Sequence, residues 1–111
     1  VPEHGLSPHQ LNILRDILAP YAPLITRAGL FGSRAKGTAR ENSDIDLVLF
    51  GSVPEAVVDR LRSLFDESGL AVTVDLIAYD RIDTPALKSH IDQVMQPLFE
   101  QPELQSVKKH A

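Results

Sequence analysis

The sequence predicts a small α/β or α+β domain, a sheet covered by helices. Three apolar runs of strand length, at 24–31, 45–50 and 70–78, supply the sheet. Stretches with apolar residues at helical spacing lie before and between them, and Gly, Pro and Ser mark the junctions. The chain has 111 residues, the length of one domain. The expected division is a core over about 7–100 and a polar tail over 101–111 that frays.

The elements follow in order. Ser7-Pro8-His9-Gln10 reads as a helix start, with Ser7 as N-cap, Pro8 at the first helical position and Gln10 completing a capping box. Leu11, Leu14, Ile17, Leu18 and Tyr21 continue at helical spacing, and Pro20 and Pro23 end the element. The run 24–31 is the first strand. The segment 32–43, rich in Gly, Ser, Arg and Lys, is a loop or a short helix. The second strand, 45–50, is apolar apart from Asp46, and Gly51-Ser52 breaks it. Ser52 and Glu55 form a second capping box, opening a helix through Val57, Val58, Leu61, Leu64 and Phe65. Gly69 is placed to close it. The third strand, 70–78, carries Asp75 between Val74 and Leu76. Thr84-Pro85 opens a third helix with Leu87, Ile91, Val94 and Met95 on one face, and Pro97 stops it.

Composition excludes several classes. With no cysteine there is no disulfide scaffold, thiol nucleophile or cysteine-ligated metal. A net charge of −4 and a pI near 5.4 disfavour nonspecific nucleic-acid binding. Aromatic content of 5% without tryptophan argues against an RNA-stacking platform. No apolar run reaches the roughly 18–20 residues of a membrane helix. The first residues carry neither a basic n-region nor an apolar h-region, so a cytoplasmic protein is expected. His4, His9, His90 and His110 are scattered without metal-ligand spacing and read as surface residues.

The chemistry concentrates in three aspartates. Asp44 and Asp46 flank Ile45 at the start of the second strand. Residues i and i+2 of a strand point to one face, with Cα atoms about 6–7 Å apart. Two carboxylates so close repel, the more so when partly buried. A divalent cation resolves the repulsion, and Mg²⁺ is commonly held by one or two carboxylates together with phosphate oxygens. Asp75 is a lone charge in an apolar strand and needs a partner. If the third strand pairs with the second, it reaches the same centre. Gly32-Ser33 follows the first strand. The glycine permits a tight turn, and the serine hydroxyl with the N–H groups after it suits a phosphate. Arg34 and Lys36 add positive charge. Taken alone, Gly-Ser is also an ordinary turn, and Arg34, Lys36 and Arg40 an ordinary solvated face. The Walker A spacing is absent.

Gly32-Ser33, ten residues, then Asp44-x-Asp46 form the Gly-Ser-x10-Asp-x-Asp pattern. This resembles the nucleotidyltransferase superfamily, the fold of DNA polymerase beta. The text Leu30-Phe31-Gly32-Ser33-Arg34-Ala35-Lys36-Gly37 with Ser43-Asp44-Ile45-Asp46-Leu47 is similar to the minimal nucleotidyltransferases. Those are single-domain proteins of about this length, often paired with a HEPN-domain partner. The resemblance implies a small mixed sheet flanked by helices. It implies that Asp44, Asp46 and Asp75 bind divalent ions, two Mg²⁺, as a catalytic triad. It implies that Gly32 and Ser33 hold the terminal phosphates of ATP, with Arg34 and Lys36 as further triphosphate contacts.

The reading that follows is a Mg²⁺-dependent protein adenylyltransferase. It moves AMP from ATP to a tyrosine hydroxyl of a HEPN toxin, an RNase, and so acts as an antitoxin in a hetero-oligomer. Two alternatives stand beside it: a small-molecule nucleotidyltransferase of the aminoglycoside-modifying kind, and a module that inhibits its partner by contact alone. No membrane or direct nucleic-acid binding is expected. The third-helix face and Leu98-Phe99 are candidates for a partner surface, with core packing the stronger use of the helix.

Overall fold

Ser7 opens the first helix as its capping box predicts. Its hydroxyl accepts the Gln10 N–H at 3.1 Å, and the Gln10 side-chain carbonyl accepts the Ser7 N–H at 2.9 Å. This computed structural model describes residues 5–37, 39–40 and 42–106. Helix α1 (Pro8–Leu18) buries Leu14 and Leu18, and a 3-10 segment, Ala19–Leu24, absorbs Pro20, Tyr21 and Pro23. Strand β1 is therefore Arg27–Phe31, three residues shorter than the apolar run suggests. A four-residue helix α2 (Ser33–Lys36) follows, closed by Gly37 in the left-handed conformation. Then come β2 (Ile45–Phe50), α3 (Glu55–Asp66), β3 (Val74–Ala78), α4 (Pro85–Val94), β4 (Gln96–Glu100) and α5 (Gln101–Gln105).

The sheet order is β3-β2-β1-β4. Strand β1 runs antiparallel to both β2 and β4, while β2 and β3 are parallel. The sheet is mixed, as the resemblance implied. A parallel pair requires a crossover, and α3 is that connection. Alternation divides each strand between two faces. Ile45, Leu47 and Leu49 of β2 join Val74, Leu76 and Ala78 of β3 in the main core with Leu14, Leu18, Leu61, Phe65 and Leu104. On the other face Val48 packs with Ile82 and Ile91, flanked by Phe31, Phe50, Ile77, Leu87 and Met95. The apolar face of α4 is thus used in the core. Among the described residues no helix is long and apolar enough to cross a membrane.

Several boundaries differ from the sequence reading for local reasons. Helix α3 starts at Glu55 behind Pro54, with no side-chain cap, so Ser52 does not cap it. Gly69 is not in the left-handed conformation; the chain leaves α3 at Glu67, and the Ser68 hydroxyl donates to the Phe65 carbonyl at 2.6 Å. Strand β3 begins at Val74, not Leu70. Strand β4 is not foreseen, because Pro97 reads as a stop. An edge strand tolerates proline, which has no N–H to pair, and Pro97 lies opposite Gly29 at the sheet edge. Gly29 is required there: a Cβ would collide with the Met95 side chain and lie 3.1 Å from the Gln96 carbonyl oxygen.

The expected fraying tail is instead helix α5. Glu100 and Glu103 form its capping box, and the Gln101 side chain donates to the Ala22 carbonyl at 2.9 Å. Leu104 is 1% exposed. Residues 107–111 of that tail, with His110, and the first residues with His4 lie outside the described residues. Leu104→Ala therefore removes a core side chain and is expected to destabilise the protein by about 2–5 kcal/mol. Urea unfolding measures this directly; a frayed tail would show no change.

Candidate active site

The parallel register of β2 and β3 sets Asp46 directly beside Asp75. Both lie on the sheet face that α4 covers over its apolar half, at the end that α4 leaves open. Phe31, the last residue of β1, pairs with Asp46 from the other side. The chain then turns at Gly32, whose φ is 78°. This glycine is imposed by the site: a Cβ would run into the Asp46 carboxylate. Gly32 thus brings the turn onto the acidic pair, and half-buried Ser33 begins α2 beside it.

Asp46 and Asp75, side by side in the register, act on one another electrostatically. Burial is the main cause that pushes the Asp46 pKa up, from 3.8 to about 6, followed by the negative charge of Asp75, then Asp44; Arg34 acts in the opposite direction. Asp44 sits one residue before β2, exposed, with its charge felt at Asp46. Among the described residues no three acidic or imidazole groups converge closely enough to hold an ion as placed. The pair fits a dication all the same. Two hard carboxylate oxygen donors held side by side are the kind of donor that Mg²⁺ takes, commonly together with phosphate oxygens and water.

An open cleft of about 470 Å³ contains Asp46 and Asp75, with Phe31, Arg62, Asp66 and Thr73 among its walls. Arg62 reaches from α3 over the edge of β3, donating to the Leu76 carbonyl at 2.9 Å and to Asp59 at 3.0 Å. Neither Arg62 nor Asp66 is marked in the sequence, because only the α3–β3 packing brings them to the cleft. Lys36 is exposed outside the cleft lining. Arg34 is not on a solvated face: it is buried, 1% exposed. Tyr79 stands at the far end of β3, stacked on Phe50 at 4.7 Å with its hydroxyl donating to Asp92 at 2.6 Å.

The family model described as nucleotidyltransferase domain matches residues 11–98. The "Probable protein adenylyltransferase MntA" of Haemophilus influenzae is 40% identical over 70 residues, 61% of this chain and 60% of that protein. The match thus spans about 60% of that curated relative's length. A crystal structure of a toxin–antitoxin with AMP-PNP superposes with a TM-score of 0.67 at 23% identity, over 84% of this chain and 77% of that one. The toxin–antitoxin MntA–HepT gives 0.59 at 20% identity, over 81% and 69%. These two likenesses show a shared fold.

The acidic pair makes stability depend on pH. The folded protein keeps the Asp46 proton up to about pH 6, whereas an unfolded chain releases it near 4. Between those values the folded state binds more protons, so stability falls as pH rises through the window and stays lower above it. Asp46 is only part-buried, and after discounting for solvent screening the loss is about 1 kcal/mol. Asp46→Asn keeps the shape and can donate to Asp75 without a titrating proton. It is expected to be more stable than the native protein by about 1 kcal/mol at neutral pH. Denaturant unfolding of both proteins across this range gives the answer; equal stability at neutral pH would mean that the pair is not under repulsion.

Proposed function

The chain belongs to the nucleotidyltransferase domain family, and from that premise we propose that it transfers AMP from ATP to a tyrosine hydroxyl of a HEPN-domain toxin, which it thereby neutralises. The observation that carries the reading is the Asp46–Asp75 pair, held in register beside the Gly32-Ser33 turn. A contact-only inhibitor has no use for two carboxylates pressed together at a measurable cost in stability. The adenylyltransferase name of the relative supports a protein acceptor. The toxin–antitoxin likenesses, one with a nucleotide analogue, support a toxin partner in a hetero-oligomer and an adenine nucleotide.

In this reading Asp46 and Asp75, with exposed Asp44 beside them, would hold Mg²⁺, whose charge would neutralise the triphosphate and the leaving pyrophosphate. The chain's own groups then have separate tasks. Gly32 and Ser33 receive the terminal phosphates at the turn, where the missing Cβ permits close approach. The tyrosine oxygen bonds to the α-phosphorus, the bond from that phosphorus to the bridging oxygen breaks, and pyrophosphate departs. Asp75, exposed at the open side, accepts the phenolic proton. The cleft is open, whereas a small-molecule site normally encloses most of its ligand, so the missing wall is assigned to the partner. The product carries a new phosphodiester charge, which repels an RNA backbone from the toxin.

Mass spectrometry of the HEPN partner after incubation with ATP, Mg²⁺ and this protein is expected to show added AMP units. Asp44→Asn combined with Asp46→Asn is expected to lower transfer by at least about a hundredfold, while its melting temperature stays level or rises. Full activity in that variant would end the enzymatic reading. A partner that is inhibited yet unmodified would leave the contact-only module in its place.

A further inference from the structure

Arg34 is the one charged side chain that the fold buries among the described residues, and the largest of the fully buried side chains. A buried guanidinium is costly unless its donors are satisfied, so where it points is informative. Its Nη2 donates to the Ser43 carbonyl at 2.9 Å and lies 3.5 Å from the Arg40 carbonyl. These carbonyls belong to one closed turn: the Ser43 hydroxyl accepts the Arg40 N–H at 2.8 Å, and the Ser43 N–H donates back to the Arg40 carbonyl at 3.0 Å. Gly5 closes the other side of the guanidinium, where a Cβ would stand 3.1 Å from Nη1. The charge acts on Asp46. A group sealed in this way presents no surface to a triphosphate arriving from solvent. Lys36, two residues on, is exposed.

We propose that Arg34 is a positioning residue: it ties down Arg40 and Ser43 and thereby fixes the direction in which Asp44 and Asp46 enter β2, without touching the nucleotide. The inference rests on the reading that these two aspartates serve the transfer reaction. It departs from the expectation that Arg34 contacts phosphate. Arginine suits the task because its planar, rigid guanidinium holds Nη2 between the two carbonyls while keeping its charge, whereas the lysine ammonium is a point charge on a flexible stem.

The test pairs kinetics with hydrogen exchange on Arg34→Lys, which retains the charge, and Arg34→Met, which does not. Both variants are compared with the native chain by melting temperature. With ATP, Mg²⁺ and the HEPN partner, Arg34→Lys is expected to lower kcat by about a hundredfold, as misplaced reacting groups do. Its KM for ATP should stay within about threefold of native, since no nucleotide contact is lost. Exchange in residues 39–46 of the free chain should rise, with β1 and β4 unchanged. A raised KM with kcat intact would make Arg34 a nucleotide contact and overturn the proposal. Unchanged exchange in the turn, or a uniform rise across the sheet, would overturn it as well. If the native protein transfers nothing, the functional reading fails separately, and the exchange data on Arg34→Lys still decide whether Arg34 ties down Arg40 and Ser43.

Discussion

The parallel pairing of β2 with β3 is the constraint on which the rest depends. Side chains alternate along each strand, so a slip of one residue in that pairing would send Asp75 to the α3 face and bring Val74 or Leu76 beside Asp46. What prevents the slip is apolar burial on the opposite face. Val74, Leu76 and Ala78 all lie in the main core with Ile45, Leu47 and Leu49. The burial that stabilises the sheet is therefore the force that holds two carboxyl groups against their mutual repulsion. Stability gained on one face maintains an unfavourable arrangement on the other, a division of labour expected where a site serves chemistry instead of the fold.

The second face shows how the site stays open. Along β2 it reads Asp46, Val48, Phe50, and along β3 Asp75, Ile77. Helix α4 covers the apolar part of this face through Ile91, Leu87 and Met95. It ends at Val94 and passes through Met95 into β4, beside Gly29. The acidic end is bounded instead by the Gly32 turn, which has no side chain to fill it. The described elements do not cover both faces of the sheet completely. The gap falls where the charged residues are, because leaving apolar surface uncovered would be the costlier choice.

Much of the site was legible because it breaks the pattern around it. Asp75 is conspicuous as a charge between Val74 and Leu76, and the i, i+2 spacing of Asp44 and Asp46 puts two like charges at one strand start. Gly32 is informative because a turn after an apolar run needs conformational freedom, although only the structure reveals that Asp46 is what its missing Cβ makes room for. The burial of Arg34 was not legible, for a physical reason. Sequence patterning treats a charged residue in a polar loop as solvated, and a buried cation is legible only when the carbonyls that receive it are known, here from residues six and nine positions away. Likewise Pro97 marks a helix stop in sequence terms, yet it sits in β4, since nothing local tells an edge strand from a loop. Leu104, one apolar residue in a polar stretch, carries too weak a period to announce α5.

The charges of the site are ordered by their exposure, and that order argues for how it works. Arg34 is sealed in, Asp46 is part-buried, and Asp44 and Asp75 are exposed. A fixed buried cation near Asp46 offsets part of the repulsion from its neighbours at all times, because an arginine does not lose its proton in the physiological range. It does not offset all of it, since the Asp46 pKa stays raised, at about 6. A stronger internal cation would satisfy the carboxylates and leave them with nothing to bind. A weaker one would let them splay apart or disorder the 40–43 turn. The arrangement leaves a residual negative charge facing the open cleft, which in the proposed reading receives a dication, and it keeps the Arg34 guanidinium out of that cleft.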